Sequence, residues 1–221
     1  MDNKKILNDS KQCNYISGNK IFILDGINQA TTAELIGNLS NLVDSLPFKP
    51  IQQITPAPNN PYQIIENDYN IIDVYINSNG GSLSQTKSIM ALLNMARAKG
   101  AVIRTTVLGT AASAASLIAI QGTKNFRIMY EQSYNLVHYG HSHYDIDRAD
   151  EMEKAAVKEK NERALFNAPY LKYTDLTQND LKKLQKTEFG HMDATQCLAK
   201  GLCDWILTTD GIFINKNTKQ R

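Results

Sequence analysis

Apolar positions along the chain fall into short β-branched runs alternating with stretches of helical period. Ile21–Leu24 is a short strand, and Thr31-Thr32-Ala33-Glu34 reads as a capping box. Behind it, Leu35, Leu39, Leu42 and Leu46 recur at the spacing of one helix face, and Pro47 ends that helix. Ile71–Ile76 is a β-branched strand followed by the loop Asn77-Ser78-Asn79-Gly80-Gly81. Ser82, with Gln85 three residues on, opens a helix whose buried side is Ile89, Leu92, Leu93 and Ala96, and Lys99-Gly100 closes it. Val102–Val107 is the next strand, then come a Gly-rich turn and a buried helix over about 112–120. Phe126–Met129 and Tyr134–His138 are further short strands. A long, mostly polar helix spans Asp145–Asn167 and is stopped by Pro169. Thr177–Asp180 and Asp193–Gln196 cap two shorter helices, the second closed by Gly201, and Trp205–Leu207 is the last strand. Strands alternating with helices predict an α/β domain with parallel pairing.

Composition sets the borders. Residues 1–19 are polar with little periodicity and read as a flexible arm, 20–209 as one domain, and 210–221 as a tail. Four of the six prolines fall in 48–70, which reads as an exposed insertion. A net charge of +2, from 24 basic and 22 acidic residues, gives no field to draw in nucleic acid. Three cysteines, Cys13, Cys197 and Cys203, show no metal-ligand pairing and suit a reducing compartment. No apolar run approaches a membrane span and the first twenty residues are too polar for a signal peptide, so a cytoplasmic protein without membrane contact is expected.

Candidate chemistry gathers where two Gly-rich turns, at Gly80-Gly81 and Gly109–Ser113, each follow a strand and open a helix. In a parallel sheet both emerge at the carboxyl edge, where sites are usually built. Neither carries a phosphate-binding pattern. Ser113 sits at a helix start, where unpaired N–H groups favour negative charge, and His138 ends a neighbouring strand. Taken singly, the small residues would serve tight packing and the histidine a loop or the core. His141 and His143 lie close by, but no carboxylate or thiol falls at the usual helical spacing, so neither metal nor cofactor is expected.

Together, Ile76-Asn77-Ser78-Asn79-Gly80-Gly81, Gly109-Thr110-Ala111-Ala112-Ser113-Ala114, Leu136-Val137-His138 and Gly201-Leu202-Cys203-Asp204 resemble the proteolytic subunit of the caseinolytic Clp protease family. The likeness runs from about Lys20 to Leu207. It implies a crotonase-like α/β fold of repeated β-β-α units with a protruding long helix. It also implies a serine endopeptidase in which Ser113 matches the nucleophile and His138 the general base. The backbone N–H groups of Gly81 and Ala114 match the oxyanion-hole donors, and Gly81 would leave room for the approaching carbonyl. The partners implied are a polypeptide substrate, further copies of the chain in stacked rings, and an ATP-driven unfoldase. The helix 145–167 matches the segment that interlocks the rings.

Some positions depart from the family pattern. The family's third triad acid aligns with Phe189; the nearest acids are Glu188, taken as the orienting acid, and Asp193, which also suits a helix cap. Asn79 stands where the family has Pro, and Tyr139-Gly140 where it favours Gln-Pro. With the insertion, these suit a divergent relative such as a viral head-maturation protease acting without an unfoldase. Two other readings stay open: a non-catalytic ring subunit that scaffolds active paralogues, and an acyl-CoA enzyme on the same fold. Ser116 reads as packing or a back-bond to its helix, and Lys87 lies on a polar helical face.

Overall fold

A computed structural model describes residues 14–49, 55–64, 70–139, 149–186 and 190–218. In chain order the strands are β1 Asn14–Ser17, β2 Lys20–Ile23, β3 Pro56–Ala57, β4 Asn60–Ile64, β5 Ile71–Ser78, β6 Val102–Ala112, β7 Arg127–Tyr130, β8 Tyr134–Leu136, β9 His191–Asp193, β10 Trp205–Leu207 and β11 Phe213–Ile214. The helices are α1 Gln29–Ser45, α2 Leu83–Ala98, α3 Ala114–Ala119, α4 Ala149–Tyr173, α5 Gln178–Lys186 and α6 Ala194–Ala199. The main sheet runs β1-β2-β5-β6-β7-β10-β11. Its inner pairs are parallel and its two edge pairs antiparallel. The expected α/β alternation is present.

Both edge strands shorten the predicted ends. Asn14–Ser17 belongs to the sheet and not to a flexible arm, because Asn14 is buried and its amide oxygen accepts the N–H groups of Leu24 and Asp25 at 2.9 and 3.1 Å. Likewise Phe213–Ile214 pairs with β10, so the expected tail over 210–221 begins inside the fold.

α1 and α2 cover one face of the sheet. Their buried stripes are Thr32, Leu35, Leu39 and Val43, and Thr86, Ile89, Leu93 and Ala96. Leu42, Leu46 and Leu92 are only partly buried, since the buried stripe takes the step of four from Leu39 to Val43 and from Ile89 to Leu93. The capping box of α1 is also shifted. Asn28 is the N-cap and exchanges hydrogen bonds with Thr31, leaving Glu34 outside it.

The opposite face carries polar groups and aromatic rings. Asp73 and Arg104, on neighbouring strands, form a buried two-pronged ion pair at 2.5 and 3.0 Å. Within the expected insertion, the described residues 55–64 form a β3–β4 hairpin laid over that pair. The Arg104 guanidinium stacks 4.3 Å from the Tyr62 ring and donates to the Tyr62 carbonyl, and the Tyr62 hydroxyl meets Thr106 at 3.0 Å. At its neck the insertion is closed, because the Asn70 side-chain amide donates to the Pro47 carbonyl at 3.0 Å.

α4 runs on to Tyr173 where Pro169 was expected to stop it. Proline removes one hydrogen bond, to the carbonyl four residues back, and that residue is Leu165, itself 60% exposed, so water can serve it. Among the described residues, the buried positions of the helix, Phe166, Asn167 and Tyr170, lie toward its C-terminal end, and Arg163 stacks 4.8 Å from the Tyr139 ring. Beyond Tyr170, Arg127 binds the Tyr173 and Gly201 carbonyls and pairs with Asp204 at 2.6 and 2.9 Å, tying the helix end to β7. No helix among the described residues is long and apolar enough to cross a membrane.

Candidate active site

β6 is longer than its apolar run predicts, continuing through Gly109–Ala112 directly into Ser113. Its first half lies between β5 and β7; its last three residues pair instead with β8, Ala112 opposite Leu136. The change of partner follows a bulge. Opposite β5 the register steps from Ile76↔Val107 to Ser78↔Ala111, and Asn77 fills the gap by accepting the Thr110 N–H at 3.0 Å.

Ser113 stands at the junction of strand and helix with φ +52° and ψ −120°, a left-handed backbone that a non-glycine residue seldom adopts. The turn is held from three sides. The Ser113 N–H donates to the Leu136 carbonyl at 2.8 Å, on the strand that leads two residues later to His138. Ala114 is the first residue of α3, so its N–H is among those a helix leaves without an internal partner. The third side is the Asn79–Gly81 loop. A Cβ on Gly80 would collide with the Ala112 carbonyl and lie 2.8 Å from the Ala114 nitrogen and 3.1 Å from the Ser113 Cβ. Backbone therefore meets backbone at this point.

Gly81 has φ +141°, and a side chain there would strike the Ile27 carbonyl. The glycine is thus explained by contact with the Ile27 segment. Gly80 and Ser82 flank that contact, with Ile27 N–H donating to the Gly80 carbonyl at 2.8 Å and Ser82 N–H to the Ile27 carbonyl at 2.6 Å. Ser113 and His138 are both half-buried.

Of the acids considered, Asp193 caps α6 in a reciprocal box with Gln196, its carboxylate accepting the Gln196 N–H at 2.7 Å. Glu188 lies outside the described residues, as do Phe189, His141, His143 and Cys13. The nearest described residue, Gly190, accepts the Val137 N–H at 3.3 Å, so the chain returns to the described fold beside the residue before His138. Among the described residues no group of three or more His, Cys, Asp or Glu could hold a metal. Lys87 is exposed on α2.

Of the two expectations for Ser116, packing and a back-bond, the structure has it fully packed, with a hydroxyl that donates to Asn135 Oδ1 at 2.7 Å and accepts from the Tyr170 hydroxyl at 2.7 Å, all three residues being fully buried. Tyr170 lies beyond Pro169, where no helix was expected, and Asn135 breaks the apolar pattern of its strand, a signal that goes unread without knowledge of what faces it.

The sequence profile described as Clp protease matches residues 63–210. A protein of Leuconostoc citreum (strain KM20), described as "ATP-dependent Clp protease proteolytic subunit", is 31% identical over 142 residues, covering 63% of this chain and 68% of that protein. The matched region spans the Gly80-Gly81 loop, the Ser113 turn, His138 and Asp204. On this evidence the chain belongs to the Clp protease family.

Proposed function

We propose that the protein is a serine endopeptidase with Ser113 as nucleophile and His138 as general base. The observation that carries this is the packing of the Gly80-Gly81 loop against the left-handed Ser113 turn, on a strand end bonded to the segment leading to His138. In this reading His138 takes the Ser113 hydroxyl proton as Oγ attacks the peptide carbonyl. The N–H groups of Gly81 and Ala114 receive the oxyanion, and losing one such donor typically costs about 10²–10³ in rate. The imidazolium then protonates the leaving amine, and water, activated by the same imidazole, hydrolyses the acyl-enzyme. Glu188 is assigned as the acid that orients the imidazole, and neither metal nor cofactor enters.

Ring assembly of identical chains acting on polypeptides, with an ATP-driven unfoldase as feeder, belongs to the same reading. In the same reading the long helix meets another copy, which would cover some of its exposed apolar side chains, Met152, Val157 and Leu165 being 62%, 55% and 60% exposed.

A fluorophosphonate probe tests the chemistry. Labelling should fall on Ser113 and vanish in Ser113→Ala, while Ser113→Ala and His138→Ala should each abolish peptide cleavage without dissolving the assembly. An assembled wild-type protein that takes no label would favour the non-catalytic scaffold.

A further inference from the structure

The helix headed by Ser113 is six residues long, too short to hold its place by its own hydrogen bonds. What holds it is a closed circuit of bonds to β8. The Ser113 N–H reaches the Leu136 carbonyl, the Ser116 N–H returns to the Ser113 carbonyl at 3.1 Å, and the Ser116 hydroxyl reaches Asn135, the neighbour of Leu136. Tyr170 closes the circuit from behind by donating its hydroxyl to Ser116.

We propose that Tyr170, Ser116 and Asn135 are positioning residues for peptide hydrolysis: a buried hydrogen-bonded brace that keeps the Ser113 turn in register with the strand leading to His138. The proposal rests on the serine-peptidase reading above. Three observations carry it. Each hydroxyl and amide involved is withdrawn from water, which costs free energy that a phenylalanine at 170 and an alanine at 116 would avoid. Packing alone therefore does not account for the set. A hydrogen bond is directional where an apolar contact is not, so the brace fixes the rotation of α3 about its axis, and with it the aim of the Ser113 side chain. Finally, the foot of α4 touches both halves of the pair. Tyr170 bonds the serine helix, while Phe166 packs edge-on against Tyr139, the residue after His138, at 5.5 Å between ring centroids. Burial raises the Tyr170 phenol, so it stays a donor across the range in which the enzyme works.

The test compares wild type, Tyr170→Phe, Ser116→Ala and the double variant in the assembled state. It reads kcat and KM on a fluorogenic peptide, the rate of fluorophosphonate labelling at Ser113, and the thermal midpoint. Tyr170→Phe keeps the ring and should lower kcat and the labelling rate together by about 10-fold with KM unchanged, since small displacements of reacting groups are costly. Its midpoint should stay within a few degrees of wild type. Adding Tyr170→Phe to Ser116→Ala should cost nothing further, because the phenol acts only through the serine hydroxyl. Ser116→Thr, which restores a hydroxyl, should recover part of the rate and serves if Ser116→Ala does not fold. A folded Tyr170→Phe with wild-type kcat and labelling overturns the brace and leaves the peptidase standing. Wild-type protein that neither labels nor cleaves removes the peptidase reading and the brace with it.

Discussion

At Ser113 two unfavourable choices coincide: a left-handed backbone on a non-glycine residue and a neighbouring loop pressed to backbone contact. Such strain costs on the order of 1–3 kcal/mol and persists only where the surroundings enforce it. Gly80 does the enforcing, and its φ of +87° is itself closed to most side chains. Gly80→Ala should therefore lower stability in urea by about 1–3 kcal/mol and remove Ser113 labelling. Gly18 is the control, having a similar φ of +59° with nothing within 4 Å of an added Cβ. Gly18→Ala should carry a backbone penalty of about 1 kcal/mol and leave labelling alone. Equal effects at the two positions would refute the contact argument. The Gly-Gly pair was legible as a tight turn, but the surface facing each glycine was not, because only the fold brings Ile27 and Ala112 beside them.

Among the elements, those with strong periodicity or clear caps were readable, including α2, α6 with its Asp193 box, β5 and β10. What stayed hidden depended on distant partners. β6 outruns its apolar stretch because β8 supplies a second ladder, and α4 passes Pro169 where Leu165, whose carbonyl the proline leaves unbonded, is on the exposed side. The hairpin was hidden for the same reason: its prolines suggest an exposed excursion, while its place is set by Arg104 on another strand. Arg104→Met should leave Asp73 buried without a counter-charge and cost about 3–5 kcal/mol. Hydrogen exchange should then quicken selectively at the amides of residues 56–64 and less so in α1. Uniform quickening would mean that the ion pair stabilises the whole sheet and not the hairpin's seat.

For the molecule as a whole, buried acids of weak strength set a limit on the alkaline side. Burial, reinforced by Asp204, pushes the Cys203 thiol up to about 12, and burial also raises Cys197 and Tyr170. In the unfolded chain thiols ionise near 8.5 and phenols near about 10. Above these values the unfolded state releases protons that the folded state keeps. Stability is thus fully present below about pH 8.5 and falls as pH rises, by about 1.4 kcal/mol per unit for each such group. Urea midpoints should decline steadily from about pH 9 to 11, with a shallower slope in Cys203→Ala; a flat profile would show that these groups meet water in the native state. A different kind of independence follows from the bond between Asn70 and Pro47. Exit and return of the excursion are clipped together at the sheet, and the hairpin it carries is seated a second time, over Arg104. A lineage could lengthen or trade the turn at the hairpin's tip while the strands on either side of the clip kept their spacing, and the edge that carries Ser113 would not register the change.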